Sequence, residues 1–246
     1  MKDYMVRFRR VLLPSVLLFF IYSCSANDEM SGMYRPTESS GIPVSGEKRY
    51  LALGDSYTIG EAVAADQRWP VQLQKKLTGE GVKLASPEII ARTGWTTAEL
   101  AEGIRQANPK GPYDLVTLLI GVNNQYRGLD TAEYRKQFRE LLIQAATFAG
   151  NDYAKVIVVS IPDWGYTPFG GSRNRGDISK AIDQFNRINL EETRKTPAVY
   201  VDITAISRNG LVEPQLVATD GLHPSGEQYR RWVELVFPVA KTILSK

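Results

Sequence analysis

One cysteine and one histidine occur in the 246 residues. A lone cysteine cannot pair within its own chain, so intramolecular disulfides are excluded. One Cys and one His also fall short of the usual zinc ligand sets, so no metal site is expected, although an oxygen-ligand site for a hard cation stays open. An excess of charge is missing too. The 30 Lys and Arg outnumber the 27 Asp and Glu, but Lys2, Arg7, Arg9 and Arg10 lie in the first 23 residues, opposed only by Asp3. The rest of the chain is formally neutral and has no general basic surface for phosphates, which argues against a nucleic-acid partner. The apolar run Val11–Ile21 is too short to span a bilayer as a helix.

A basic segment followed by a short apolar run has the form of an export signal over residues 1–23. It ends in Ile21-Tyr22-Ser23-Cys24, which resembles the bacterial lipobox, with Tyr22 the less usual member. Cys24 stands where the lipid would be attached. The expectation is an exported bacterial lipoprotein, held at a membrane by that lipid alone, on the periplasmic side or the cell surface. Residues 24–48 are rich in Ser, Gly, Pro and Glu and read as a tether. As a coil it would reach on the order of 25–30 Å.

From residue 49 to 246 the chain reads as one α/β domain. Candidate strands lie at 49–53, 87–91, 113–120, 154–161 and 198–202. The nearly unbroken apolar runs at 115–120 and 156–159 suit strands buried on both faces, as in a sheet covered by helices. Helical patterns intervene. Pro70 suits an early position of the first. Thr96 with Glu99 and Ser225 with Gln228 read as capping boxes. Asp130 with Glu133 opens a helix through Phe148, and another covers 178–194. The alternation predicts a three-layer α/β/α sandwich around a mostly parallel five-stranded sheet.

Four short segments follow strands or open helices, where ligand sites of such sheets gather. They are Gly54-Asp55-Ser56-Tyr57, Arg92-Thr93-Gly94-Trp95, Gly121-Val122-Asn123-Asn124 and Asp220-Gly221-Leu222-His223. An Asp three residues before a His can fold back and accept the ring Nδ1–H, fixing the tautomer that a catalytic base needs. Pro224 keeps His223 off a helix. Taken singly, each segment has a plainer reading. Ser56 reads equally as a turn or helix-capping serine, and His223 as a histidine beside a turn aspartate.

Together, in order, the four segments resemble the blocks of the SGNH hydrolases, also called the GDSL esterase/lipase family. Tyr57 replaces the Leu of Gly-Asp-Ser-Leu, and Asn124 replaces the Asp of Gly-x-Asn-Asp. The segments Asp66-Gln67-Arg68-Trp69-Pro70 and Ile161-Pro162-Asp163-Trp164 are similar to the thioesterase/lysophospholipase and arylesterase branches. The α/β-hydrolase Gly-x-Ser-x-Gly elbow is not matched, because Thr58 stands two residues after Ser56. The resemblance implies a flavodoxin-like SGNH hydrolase fold and ester hydrolysis without a cofactor. It implies Ser56 as nucleophile, His223 as base and Asp220 as the residue orienting His223. It further implies an oxyanion hole of Ser56 N–H, Gly94 N–H and the Asn123 side chain.

Residues 162–176 form a long connection with four glycines, three aromatics and two arginines, a composition that suits a binding loop. Trp164 and Tyr166 there, with Trp95 beside Gly94, are candidate substrate contacts, and core packing is an equal reading for Trp95. The expected substrate is a small-molecule or glycan ester, with short acyl groups favoured. Longer acyl chains, acyl transfer to a sugar or lipid hydroxyl, and a non-catalytic glycan-binding lipoprotein are the alternatives. Oligomeric state is left open.

Overall fold

The computed structural model describes residues 46–246. The expected signal, Cys24 and most of the tether lie outside the described residues. Lys48, placed by composition at the end of the tether, already pairs with the chain at Lys83–Ala85. In chain order the elements are β1 (Tyr50–Gly54), α1 (Ser56–Ile59), α2 (Trp69–Gly79), β2 (Glu88–Ala91) and α3 (Thr97–Ala107). Then follow β3 (Leu115–Leu119), α4 (Val122–Tyr126), α5 (Thr131–Phe148) and β4 (Val156–Val159). The chain closes with α6 (Arg175–Thr193), β5 (Val199–Val201), α7 (Thr204–Ser207) and α8 (Gly226–Leu244).

The strands form one sheet in the order β2-β1-β3-β4-β5, and every pairing is parallel, where the sequence predicted a mostly parallel sheet. All five residues of β1, all five of β3 and all four of β4 are buried. No water reaches either face of these strands, which is why they lack polar alternation. Thr117, the one hydroxyl in β3, shares a hydrogen bond with Tyr50 of β1 at 3.1 Å.

Helices cover both faces. α3, α5 and α6 pack in sequence on one side, with α5 against β3; α2 packs on α8, which also meets β3. Fully buried Trp69, Leu73, Leu77, Trp232 and Val236 fill the second layer. Each large apolar side chain buried this way contributes roughly 1.5–3 kcal/mol.

Capping sets the helix starts. Thr96 and Glu99 make the reciprocal capping box at α3, and Asp130 accepts from Ala132 and Glu133 at α5. At α8 the Ser225 side chain accepts from Gln228 N–H. α6 begins at Arg175, three residues before its sequence-predicted start, because Asn174 caps it.

Candidate active site

The register of the sheet determines what lies together at its carboxyl edge. Gly54 of β1 pairs with Ala91 of β2 on one side and Leu119 of β3 on the other. Ser56, Gly94 and Asn123 follow those three residues within four positions. The three central strands therefore deliver the candidate nucleophile and both other candidate oxyanion donors to one edge, as expected of parallel sheets.

Ser56 is the first residue of α1 and is 4% exposed. Asp55 caps that helix. Its carboxyl Oδ1 accepts from Tyr57 N–H at 3.0 Å, and its carbonyl accepts from Thr58 and Ile59. The Ser56 N–H is the first-turn donor that Asp55 does not take. First-turn N–H groups have no intrahelical acceptor, so this one can face an incoming oxyanion.

Asp55 is fully buried, and burial pushes its carboxyl up to about 7, against the backbone hydrogen bonds that lower it. Its second oxygen has no hydrogen-bond partner in the structure.

Gly94 is the third residue of a tight turn in which Trp95 N–H donates to Arg92 O, and it has a left-handed φ of +86°. Glycine adopts that conformation without steric cost. Arg127 holds the turn from outside. One nitrogen donates to Gly94 O at 2.6 Å and the other to Glu99 of the capping box at 3.2 Å. Asn123, half-buried on α4, donates from Nδ2 to Trp95 O at 2.9 Å. The Gly94 and Asn123 segments are thus bonded to each other. One amide hydrogen of Asn123 is used this way, and the other remains for a ligand. Gly121, the N-cap of α4, has φ +130°, and a Cβ there would lie 2.3 Å from the Tyr134 hydroxyl.

Asn124 stands apart from the ligand face. It is buried, accepts from Thr97 N–H at 3.0 Å and donates to Thr97 Oγ1 at 2.8 Å. Thr97 in turn donates to Gln137 of α5 at 2.5 Å. The residue that departs from the family block therefore locks α4 to the start of α3.

Asp220 and His223 are brought together as the spacing predicts. Asp220 Oδ1 accepts the backbone N–H of Leu222 and His223, at 2.9 and 3.0 Å, and Oδ2 lies 2.5 Å from His223 Nδ1. A carboxylate can only accept, so Nδ1 carries the proton and Nε2 is left to act as a base. Burial works to raise the Asp220 carboxyl, but hydrogen bonds from the His223 ring and the two backbone N–H groups outweigh it and hold it low. The turn is braced by Ala218 N–H donating to His223 O and by the bridge of Val217 with Pro224. The His223 ring stands edge-on to Tyr57, with centroids 5.7 Å apart. Tyr57 follows Ser56 directly, so the histidine turn sits over the serine segment, and the Tyr in place of Leu supplies that contact. Tyr57 is itself backed by Trp232 of α8 at 6.4 Å.

The aromatic candidates divide. Trp95 is 9% exposed and its ring fills the space over Gly103 of α3, where a Cβ would meet it at 2.1 Å. This is the packing role that the sequence left open beside a substrate contact, since the sequence does not show to which side of the backbone the ring turns. Trp164 is buried, donates from Nε1 to Gln125 of α4 at 2.8 Å, and stands edge-on to Tyr126 and tilted against Phe169. Tyr166 is half-buried under the Arg175 guanidinium. Asp163 is fully buried and structural, gathering Gly165 N–H, Ser179 and Arg208. Tyr126 and Arg127 were invisible to motif reasoning, with only their adjacency to the Gly-x-Asn block to mark their place, while Arg173 was included only as one arginine of the 162–176 loop. Among the described residues no three His, Cys, Asp or Glu side chains gather as metal ligands.

This geometry can support acyl transfer at a serine. A family model described as GDSL-like Lipase/Acylhydrolase matches residues 52–231. The chain belongs to that family. It is a GDSL-type hydrolase with an all-parallel α/β fold. No curated protein matches the sequence. Among solved structures it is similar to TesA, with 21% identity and a TM-score of 0.64 over 80% of this chain and 99% of that one. The psychrotrophic esterase EstA from Pseudoalteromonas sp. matches at 16% identity and TM-score 0.59, covering 81% of this chain and 100% of that one. An acetyl xylan esterase from Geobacillus stearothermophilus matches at 20% identity and TM-score 0.58, covering 80% and 95%. Identities this low establish a shared GDSL fold and leave the substrate to the site.

Proposed function

We propose that this GDSL hydrolase cleaves carboxylic esters with short acyl groups through an acyl-enzyme on Ser56. The observation that carries the reading is the Asp220–His223 pair, fixed at 2.5 Å and seated edge-on to Tyr57 beside the serine. In the first half-reaction His223 Nε2 takes the Ser56 proton as Oγ attacks the ester carbonyl. The resulting oxyanion is received by Ser56 N–H, Gly94 N–H and the free Asn123 amide hydrogen. The C–O bond then breaks, and His223 gives its proton to the leaving alcohol. Water repeats the cycle and releases the acid. Asp220, held ionised, stabilises the imidazolium in both halves.

The short-acyl preference is supported by the loop over the site, where Trp164 and Phe169 are interleaved with arginines and glycines. Such a surface suits a polar or ring-bearing alcohol better than a hydrocarbon tail. One protein of the same fold is named an acetyl xylan esterase, which is consistent with an acylated-glycan substrate. We also propose export and lipidation at Cys24, on the evidence of residues 1–24 alone. The deciding experiment is a chain-length series of 4-nitrophenyl esters on the full chain, with fluorophosphonate labelling of Ser56. Labelling with a kcat/KM maximum at two to four carbons is expected by the methylene argument, roughly 0.8 kcal/mol per buried CH₂. A maximum at about eight carbons or more on the same scale would replace it with the long-acyl alternative.

A further inference from the structure

Arg173 is held by aromatic rings, where several other arginines are held by carboxylates. Arg127, Arg135, Arg139, Arg208, Arg230 and Arg231 each meet a carboxylate. Among the described residues Arg173 meets none. Its guanidinium instead lies over three rings, 4.5 Å from the Phe169 centroid, 5.2 Å from Trp164 and 5.3 Å from Tyr126. Its one hydrogen bond goes to the Tyr126 hydroxyl at 3.1 Å. Stacking uses the faces of a guanidinium and leaves its in-plane N–H groups free to donate, the geometry that grips carboxylate or phosphate in a bidentate fashion.

The rings form a platform. Trp164 is its buried base, while Tyr126 and Phe169 are 50% and 39% exposed and in contact with it and with each other. Adjacent exposed aromatic rings offer a surface on which a ring-bearing ligand can lie. Its position connects it to the candidate catalytic groups from two sides. Tyr126 ends α4 three residues after Asn123, and Gln125 between them holds Trp164. Phe169 N–H donates to Gly221 O at 2.9 Å, inside the Asp220–His223 turn.

We propose that this platform is a subsite for an anionic group on the ester substrate. A sugar or aryl ring of the substrate lies on Tyr126 and Phe169, and its carboxylate or phosphate takes the in-plane N–H groups of Arg173. The proposal rests on the reading of Ser56 as the ester-cleaving nucleophile.

The test compares kcat/KM of the full chain on three acetylated methyl glycosides: a glucuronoside as free acid, its methyl ester, and a glucoside 6-phosphate. All carry the same acetyl group. At least one anion should be favoured over the neutral methyl ester by roughly tenfold to a hundredfold, the range for a hydrogen bond to a charged group. Which anion wins identifies the source, uronate or sugar phosphate. Arg173→Met should bring the ratio close to one, and Arg173→Lys should retain part of it, since an ammonium keeps the charge without the fork. Equal values for acid, phosphate and methyl ester in the wild type, with 4-nitrophenyl acetate still turned over, would overturn the subsite and leave the esterase reading standing. A ratio that survives in Arg173→Met would also overturn it, because the anion is then read elsewhere. Loss of all ester turnover together with failure of Ser56 to label with a fluorophosphonate would overturn both readings.

Discussion

Asn123 donates its side-chain amide to the carbonyl of Trp95 at 2.9 Å, so the loops after β2 and β3 are joined at the candidate oxyanion donors. The side chain of the neighbouring Asn124 makes both of its hydrogen bonds to Thr97, buried beneath the same junction. Two adjacent residues with the same side chain therefore have separable roles.

Their alanine variants should separate accordingly. Asn123→Ala removes an oxyanion donor and should lower kcat by about a hundredfold or more with little change in melting. Asn124→Ala leaves the buried Thr97 N–H without its acceptor and should cost about 1–3 kcal/mol of stability, with a smaller loss of turnover. Steady-state kinetics and urea unfolding on both variants check this. A larger kcat loss at Asn124 would show the donor assigned to the wrong residue.

Ser56→Ala and His223→Ala should each lower ester hydrolysis by on the order of a thousandfold or more while the protein stays folded. Combining them should cost scarcely more than either alone, because nucleophile and base act as one unit. Near wild-type turnover in folded Ser56→Ala would remove the acyl-enzyme mechanism.

Much of this arrangement was legible before folding was considered. β3 and β4 are readable because strands covered on both faces need no polar alternation, and Asp130 and Thr96 announce helices through their caps. The Asp220–His223 pair was readable because three residues is the span of one turn. α1, α4 and α7 were missed, since helices of four or five residues are too short to show a period. The inward turn of Trp95 onto Gly103 was not legible, because an aromatic beside a motif glycine can face either way. Arg173 was seen only as part of a mixed loop. Its seat over three rings joins the 162–176 loop to α4, which no local pattern encodes.

Residues 1–24 carry a prediction independent of the site. Cys24→Ser, produced in a Gram-negative host, should move from the membrane fraction to the soluble fraction, and metabolic labelling with a fatty-acid probe should be lost. A lipid thioether on Cys24 is the anchor that the lipobox-like segment suggests, and an uncleaved signal is the alternative that the substitution separates from it. A Cys24→Ser protein that stays wholly membrane-bound would dismiss lipidation as the anchor.

Asp55 makes the last prediction, one about stability and pH. Its carboxyl is raised to about 7 by burial, well above the ordinary value of 3.8 that it regains on unfolding. Between those two values the native state binds the proton and the unfolded state does not. Stability contributed by this group must therefore fall as pH rises from about 4 to about 7, the reverse of a salt-bridged aspartate. Asp55→Asn removes the titration while keeping an oxygen to accept from Tyr57 N–H. The variant should gain on the wild type by on the order of 2 kcal/mol or more as pH goes from 5 to 8, from about 1.4 kcal/mol per pKa unit. Denaturant unfolding of both proteins at the two pH values reads the difference directly, without reference to turnover beside the nucleophile. Stability differences that are the same at both pH values would mean that the Asp55 carboxyl stays charged throughout, with a partner for its second oxygen.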